Sequence, residues 1–140
     1  MYLNMLLTAL AIVFLAGSSA LALDNAALIG TWKLVENAKD SEGNPCPFVG
    51  QNIQFTANNK MISANMPMPF SYKANPSKEE VQAAVAKNPE LKGMEIMLAT
   101  MGDGPIDWTK ARIVYGVKLQ GDQFTMKVSG YSPARYKKQK

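Results

Sequence analysis

The sequence predicts a mainly β protein: a small, mostly antiparallel structure that closes over one tryptophan, with a helical hairpin inserted in mid-chain. Three observations carry this. Leu28-Ile29-Gly30-Thr31-Trp32-Lys33-Leu34-Val35 sets a Gly-x-Trp tripeptide directly before an alternating segment. Short turn pairs, Asn58-Asn59 and Gly121-Asp122, separate runs of period-two alternation in both halves of the chain. The period lengthens to that of a helix only between Pro76 and Met101.

The first segment is a leader. Residues 1–22 contain no charged side chain, and an apolar run over residues 5–16 ends in Gly17-Ser18-Ser19-Ala20-Leu21-Ala22. Small residues at Ala20 and Ala22 fit a signal-peptide cleavage site, with Asp24 opening the polar chain. The run is shorter than the ~20 residues that span a bilayer, so no stable membrane span is expected after cleavage. Residues 23–134 then form one domain, large enough to hold a core without disulfides.

Residues 31–38 form the first strand, followed by a loop at Asp40-Ser41-Glu42-Gly43-Asn44-Pro45. Residues 51–57 alternate, with Ile53 and Phe55 on one side and Asn52, Gln54 and Thr56 on the other. Asn58-Asn59 turns the chain and residues 60–64 return. Phe70-Ser71-Tyr72-Lys73 is a short edge-type strand.

Ser77 and Glu80 then form a capping box for a helix whose apolar stripe is Val81, Ala84 and Val85. Asn88-Pro89 ends that helix and starts a second, in which Leu91, Met94, Leu98 and Met101 repeat at helical spacing. In the last hairpin Ala111, Ile113, Tyr115, Val117 and Leu119 share one parity. Pairing Gln120 with Gln123 sets Leu119 against Phe124 and Val117 against Met126. A one-residue slip would turn Phe124 and Met126 to water, so this register is strongly specified.

Charge and chemistry exclude several functions. Arg135, Lys137, Lys138 and Lys140 equal the whole net charge of +4, so the rest of the chain is balanced. Residues 135–140 read as a basic C-terminal tail rather than a basic face, and no nucleic-acid partner is expected. Histidine is absent, which removes the commonest general base and metal ligand. Glu79 and Glu80 suit the first turn of a helix for stability alone. The chain reads as a non-enzyme without a cofactor. Cys46, the single cysteine, sits between Pro45 and Pro47 on a loop or edge. It reads as a free, partly buried thiol, with the link of a disulfide dimer or a reactive thiol as the alternatives. Met94, Met97 and Met101 would share one helix face. Thioethers suit Cu(I), but such a stripe is more simply core, and no metal site is assigned.

These residues resemble bacterial lipocalin-like domains of the calycin group. The leader, the Gly30-Thr31-Trp32 strand, Pro47-Phe48-Val49-Gly50 and Phe55-Thr56-Ala57-Asn58-Asn59-Lys60-Met61 occur in that family's order, with Asn59 where glycine is usual. The resemblance implies a small antiparallel calycin-like barrel. It implies that Gly30 and Trp32 close one end, with a basic residue of the last strand across the indole, Arg135 first and Arg112 second. Six or seven strands are legible where a lipocalin has eight. Both a closed barrel and a partly open one plugged by the helical hairpin fit that count.

The expectation is an exported protein, periplasmic or secreted, whose partner is a small hydrophobic molecule. Ile53, Phe55, Phe70, Tyr72, Ile113, Tyr115 and Val117 share strand parity and would line its pocket or fill a solid core. Met94, on the helical hairpin, is placed with them. The alternatives are an envelope interaction or inhibitor protein using the outer sheet face, and Met-based copper binding.

Overall fold

The computed structural model describes residues 23–64, 69–102 and 105–140. The leader expected over residues 1–22 lies outside the described residues, as do Met66 and Met68, the methionines flanking Pro67 that the copper alternative would also draw on. Eight antiparallel strands form a closed barrel in chain order. They are β1 (Gly30–Glu36), β2 (Asn52–Phe55), β3 (Lys60–Ser63), β4 (Phe70–Lys73), β5 (Glu95–Met101), β6 (Ile113–Gln120), β7 (Gln123–Lys127) and β8 (Ala134–Lys138). Closure removes every free edge, including those of strands as short as β2 to β4. Among the described residues no helix is long and apolar enough to cross a membrane.

The predicted registers hold where turn and pattern agree. β6 and β7 pair Gln120 with Gln123, Leu119 with Phe124 and Val117 with Met126. In β2 and β3, Phe55 pairs with Met61 around a turn in which Asn59 has φ 62°. Asparagine is among the few residues that accept this left-handed conformation, so it can replace glycine here.

Two expectations are corrected. The first is the helical hairpin. One helix forms, α2 (Lys78–Lys87), with the Ser77–Glu80 capping box in place. A one-turn helix, α1 (Asn25–Leu28), precedes the barrel, capped by Asp24. The second helix of the expected pair is instead a 3-10 turn (Pro89–Leu91) followed by β5. Ile96, Met97, Leu98, Ala99 and Thr100 are all buried. The barrel interior takes one face of β5 and α2 covers the other, so this strand is apolar from Ile96 to Ala99. A strand covered on both faces has no period of two, and its leucines and methionines fell at helical spacing by coincidence.

The second correction is the basic tail. Residues 135–138 belong to β8, which pairs with β7 on one side and β1 on the other and so closes the barrel. Ala134 and Tyr136 face inward, while Arg135 and Lys137 face outward. The barrel is closed rather than partly open, because β5 and β8 supply the strands missing from the count of six or seven.

Two cores result. The barrel interior holds Trp32, Ile53, Phe55, Met61, Tyr72, Met97, Tyr115, Phe124, Met126 and Tyr136, each at most 3% exposed. Full burial of one such side chain stabilises by roughly 1.5–3 kcal/mol. The second core lies outside the barrel, where Ala84, Leu91, Ile96 and Leu98 are buried between α2 and β5, with Val81, Val85, Trp108 and Val114 packed on them.

Candidate functional site

The Gly-x-Trp end of the barrel is shut. Trp32 is fully buried, donates its indole N–H to the Leu28 carbonyl at 2.8 Å, and meets the Phe124 ring at 5.6 Å. The cation over the indole is Lys138, with Nζ 5.5 Å from the ring centroid and bonded to the Ala27 carbonyl at 2.8 Å. Arg135 does not take this role. It points outward, 60% exposed, 3.9 Å from the Glu36 carboxylate. The reason is strand parity: in β8 the inward positions are Ala134, Tyr136 and Lys138, one residue out of phase with Arg135. Arg112 is also exposed, at the other end of the barrel. Gly30 has φ 135°, and a Cβ there would meet the Lys138 Cε at 3.2 Å, so the glycine gives the lysine its path.

The interior is filled by side chains. Ile53, Phe55, Phe70, Tyr72, Ile113, Tyr115 and Val117 come together in one cluster, each 6% exposed or less. Phe55 stacks edge-on against both Tyr72 and Phe124, at 5.1 and 5.7 Å. Of the other interior residues, Met97 and Tyr136 were hidden in the two strands that sequence patterning misassigned. Met94 is not among them. It lies outside the barrel, 37% exposed, with its sulfur over Gly116. With β5 a strand, Met97 faces the interior and Met101 is 43% exposed at its end. The methionine face that suggested copper does not form. Among the described residues no group of three or more carboxylates or cysteines is placed to hold a metal ion.

The opposite end is covered by a lid. The loop after β1 folds on itself through a bridge between Lys39 and Pro45, with Asp40 accepting from the backbone N–H of Glu42 and Asn44 at 2.9 Å each. Those bonds hold the Asp40 carboxyl below its ordinary range, Asn44 making the largest contribution. Val49 and Cys46 sit over the barrel mouth, 3% and 4% exposed. Two interior tyrosines pin this loop from below: Tyr115 donates to the Phe48 carbonyl and Tyr136 to the Gly50 carbonyl, both at 2.6 Å. Burial pushes both phenols, and the Cys46 thiol, above their usual pKa. Lys39 and Ser132 exchange two further hydrogen bonds, tying the lid to the loop before β8.

Beside this lid runs a cleft of about 360 Å³. It follows the seam between the two cores. Leu98 and Val114, paired across β5 and β6, form its floor, and Ala83 and Ala84 of α2 form one wall. Phe48, Trp108 and Tyr131 supply aromatic surface, with Phe48 43% exposed. Lys87 and Arg112 stand at its edge and carry no ion pair among the described residues. Among the described residues the nearby carboxylates are engaged elsewhere. Asp107 accepts from Thr109 and approaches Lys110 at 3.9 Å. Glu90 accepts from Lys127 at 2.7 Å, the Gly130 N–H at 2.8 Å and Ser129 at 3.0 Å. Those contacts, Lys127 first, hold the Glu90 pKa down at about 2.

Of the residues expected to bind ligand, only Ile113 reaches this cleft. The others lie in the sealed interior or, for Met94, in a second cleft of about 360 Å³ outside the barrel, lined also by Pro76, Val81 and Ile96. The cleft draws on residue 48, residues 83–88, residue 98, residues 108–114 and residues 128–131. No local sequence pattern links these segments; the topology alone brings them together. Compared with protein-family models, with curated proteins and with solved structures, the chain finds no match in any of the three.

Proposed function

We propose that this chain is an exported, non-enzymatic binding protein of calycin type, in which the sealed barrel is the scaffold and the cleft beside its lid is the ligand site. The observation that carries the reading is a contrast of space. The barrel interior is occupied by aromatic side chains, whereas the cleft offers about 360 Å³ with apolar floor and aromatic sides. That volume falls in the range of small-molecule sites. The closed eight-stranded antiparallel barrel and the Gly-x-Trp end support the calycin assignment. The uncharged apolar leader supports export to the periplasm or the medium. The ligand is a small molecule with an apolar body.

The test is fluorescence titration with N-phenyl-1-naphthylamine, an uncharged apolar probe, on the wild type and on Ala83→Phe. Ala83 is half-buried on α2 and lines the cleft, so a phenyl ring there fills it without entering either core. Saturable binding that Ala83→Phe abolishes supports the cleft. Equal binding by both proteins moves the site elsewhere.

One observation favours a second reading, an interaction protein using the outer sheet face. Val35 is 62% exposed on β1, near Lys33, which pairs directly with Lys137 of β8. Like charges in register cost stability, so an acidic partner surface would relieve them. Co-sedimentation with vesicles containing an anionic phospholipid, compared between wild type and a Lys33→Gln/Lys137→Gln double variant, separates this reading from the first.

A further inference from the structure

The geometry points to an organic anion with a flat apolar body as the occupant of the cleft, its acid group on Arg112 and Lys87. This rests on the cleft being the ligand site and adds the chemical class. Both cations border the cleft, yet neither pairs with a carboxylate among the described residues. Among the described residues, the acids within reach of the same loops, Asp107 and Glu90, already have their own donors and cations. Among the described residues, the charged side chains that line the cleft are therefore both cations, although the whole chain apart from β8 and the terminal residues is balanced.

The two cations differ in what else explains them. Lys87 lies in the last turn of α2, where a positive charge is favourable to the helix dipole whether or not a ligand binds. Arg112 has no such account. It precedes β6, between Ala111 at the edge of the second core and Ile113 in the first. Its guanidinium forms a planar fork that fits a carboxylate, sulfonate or phosphate with two parallel hydrogen bonds. Arg112 is thus the anchor and Lys87 the supporting charge. Trp108 and Tyr131 offer the faces against which a flat apolar body lies. A neutral apolar ligand would leave both cations unused, and a small inorganic anion would leave the aromatic surface in water.

The experiment compares two probes that differ by one group, 1-anilinonaphthalene-8-sulfonate and N-phenyl-1-naphthylamine, on the full folded protein. The sulfonate should bind about tenfold tighter, and Arg112→Gln should remove most of that difference in affinity between the two probes. Lys87→Gln should produce a smaller loss, and Arg112→Lys an intermediate one. Arg112 and Lys87 are exposed, so unchanged circular dichroism and melting temperature identify folded variants. Equal affinity for the two probes, or an Arg112→Gln protein that binds the sulfonate as the wild type does, overturns the anion assignment while the cleft stands. Sulfonate binding that survives Ala83→Phe overturns both.

Discussion

The hydroxyl of Tyr115, deep in the barrel, donates to the carbonyl of Phe48 at 2.6 Å, across 67 residues of chain. The bond joins the core to the rim of the cleft, because Phe48 is itself a cleft residue. It also shuts the barrel mouth, together with the bond from Tyr136 to Gly50. Burial raises the pKa of both phenols, so they stay neutral donors across the physiological range.

Tyr115→Phe and Tyr136→Phe should each loosen the lid. Removing the donor leaves a carbonyl unpaired and costs about 1–2 kcal/mol. Cys46 reports the opening. Its thiol is 4% exposed and held above its ordinary pKa by burial, so the native protein should react slowly with iodoacetamide. Either variant should label about 5–30-fold faster, the factor that corresponds to that energy. Unchanged labelling rates in both would show that the lid is held by something else.

Lys138, rather than Arg135, should support the tryptophan end. Lys138→Ala removes the cation over Trp32 and the bond to the Ala27 carbonyl, and should destabilise by about 1–2 kcal/mol in urea titrations. Arg135→Ala removes only an exposed pair with Glu36 and should change stability by less than about 0.5 kcal/mol. Trp32→Ala should cost about 3–5 kcal/mol, as deletion of a fully buried aromatic does. The reverse order for the two cations would reassign the inward face of β8.

Much of this barrel was readable in the chain and some was not, for definite physical reasons. The β6–β7 register was legible because one face is apolar and a slip would expose Phe124 and Met126. The start of α2 was legible because the capping box is local. β5 was misread because α2 covers its outer face, which erases the alternation that marks a strand. β8 was misread because Arg135, Lys137 and Lys138 look like a solvated end until strand pairing reveals that Lys138 alone points inward. The cleft left no trace in any single segment. Ile113 was the one residue recognised, for its parity in β6 rather than for its place beside Arg112.

Gly50 should tolerate no side chain. It is the glycine of Pro47-Phe48-Val49-Gly50, and a Cβ at this position would lie 2.6 Å from the Ser63 Cβ and 3.2 Å from Ile53 Cγ1. Ser63 is fixed by its place in β3, so the lid must move instead, and the Tyr136 bond to the Gly50 carbonyl moves with it. Gly50→Ala should destabilise by about 1–3 kcal/mol and raise Cys46 labelling. Gly116→Ala is the contrast. Its closest neighbours are the Sδ and Cε of Met94, the flexible end of a half-exposed side chain that can swing aside. A Gly50→Ala protein as stable as Gly116→Ala would mean that the lid packs less tightly on β3 than the contacts require.

Glu90 should make the wall of the cleft sensitive to acid. Its carboxylate joins the turn after α2 to Lys127, Ser129 and Gly130, and its pKa falls from 4.5 to about 2 through those contacts. The ionised form is therefore favoured in the folded state. The stability it adds is complete above pH 4.5 and disappears as pH falls toward 2. Glu90→Gln should melt below the wild type at neutral pH, and the gap should close over that window. The side chain is 46% exposed, so salt should narrow the gap as well. Because Ser129 and Tyr131 line the cleft, loss of the Glu90 contacts should also weaken binding of the naphthylamine probe as pH approaches 2. Melting curves of both proteins from pH 7 to pH 2 test the linkage, and a gap that stays constant across that range would remove Glu90 as the tether.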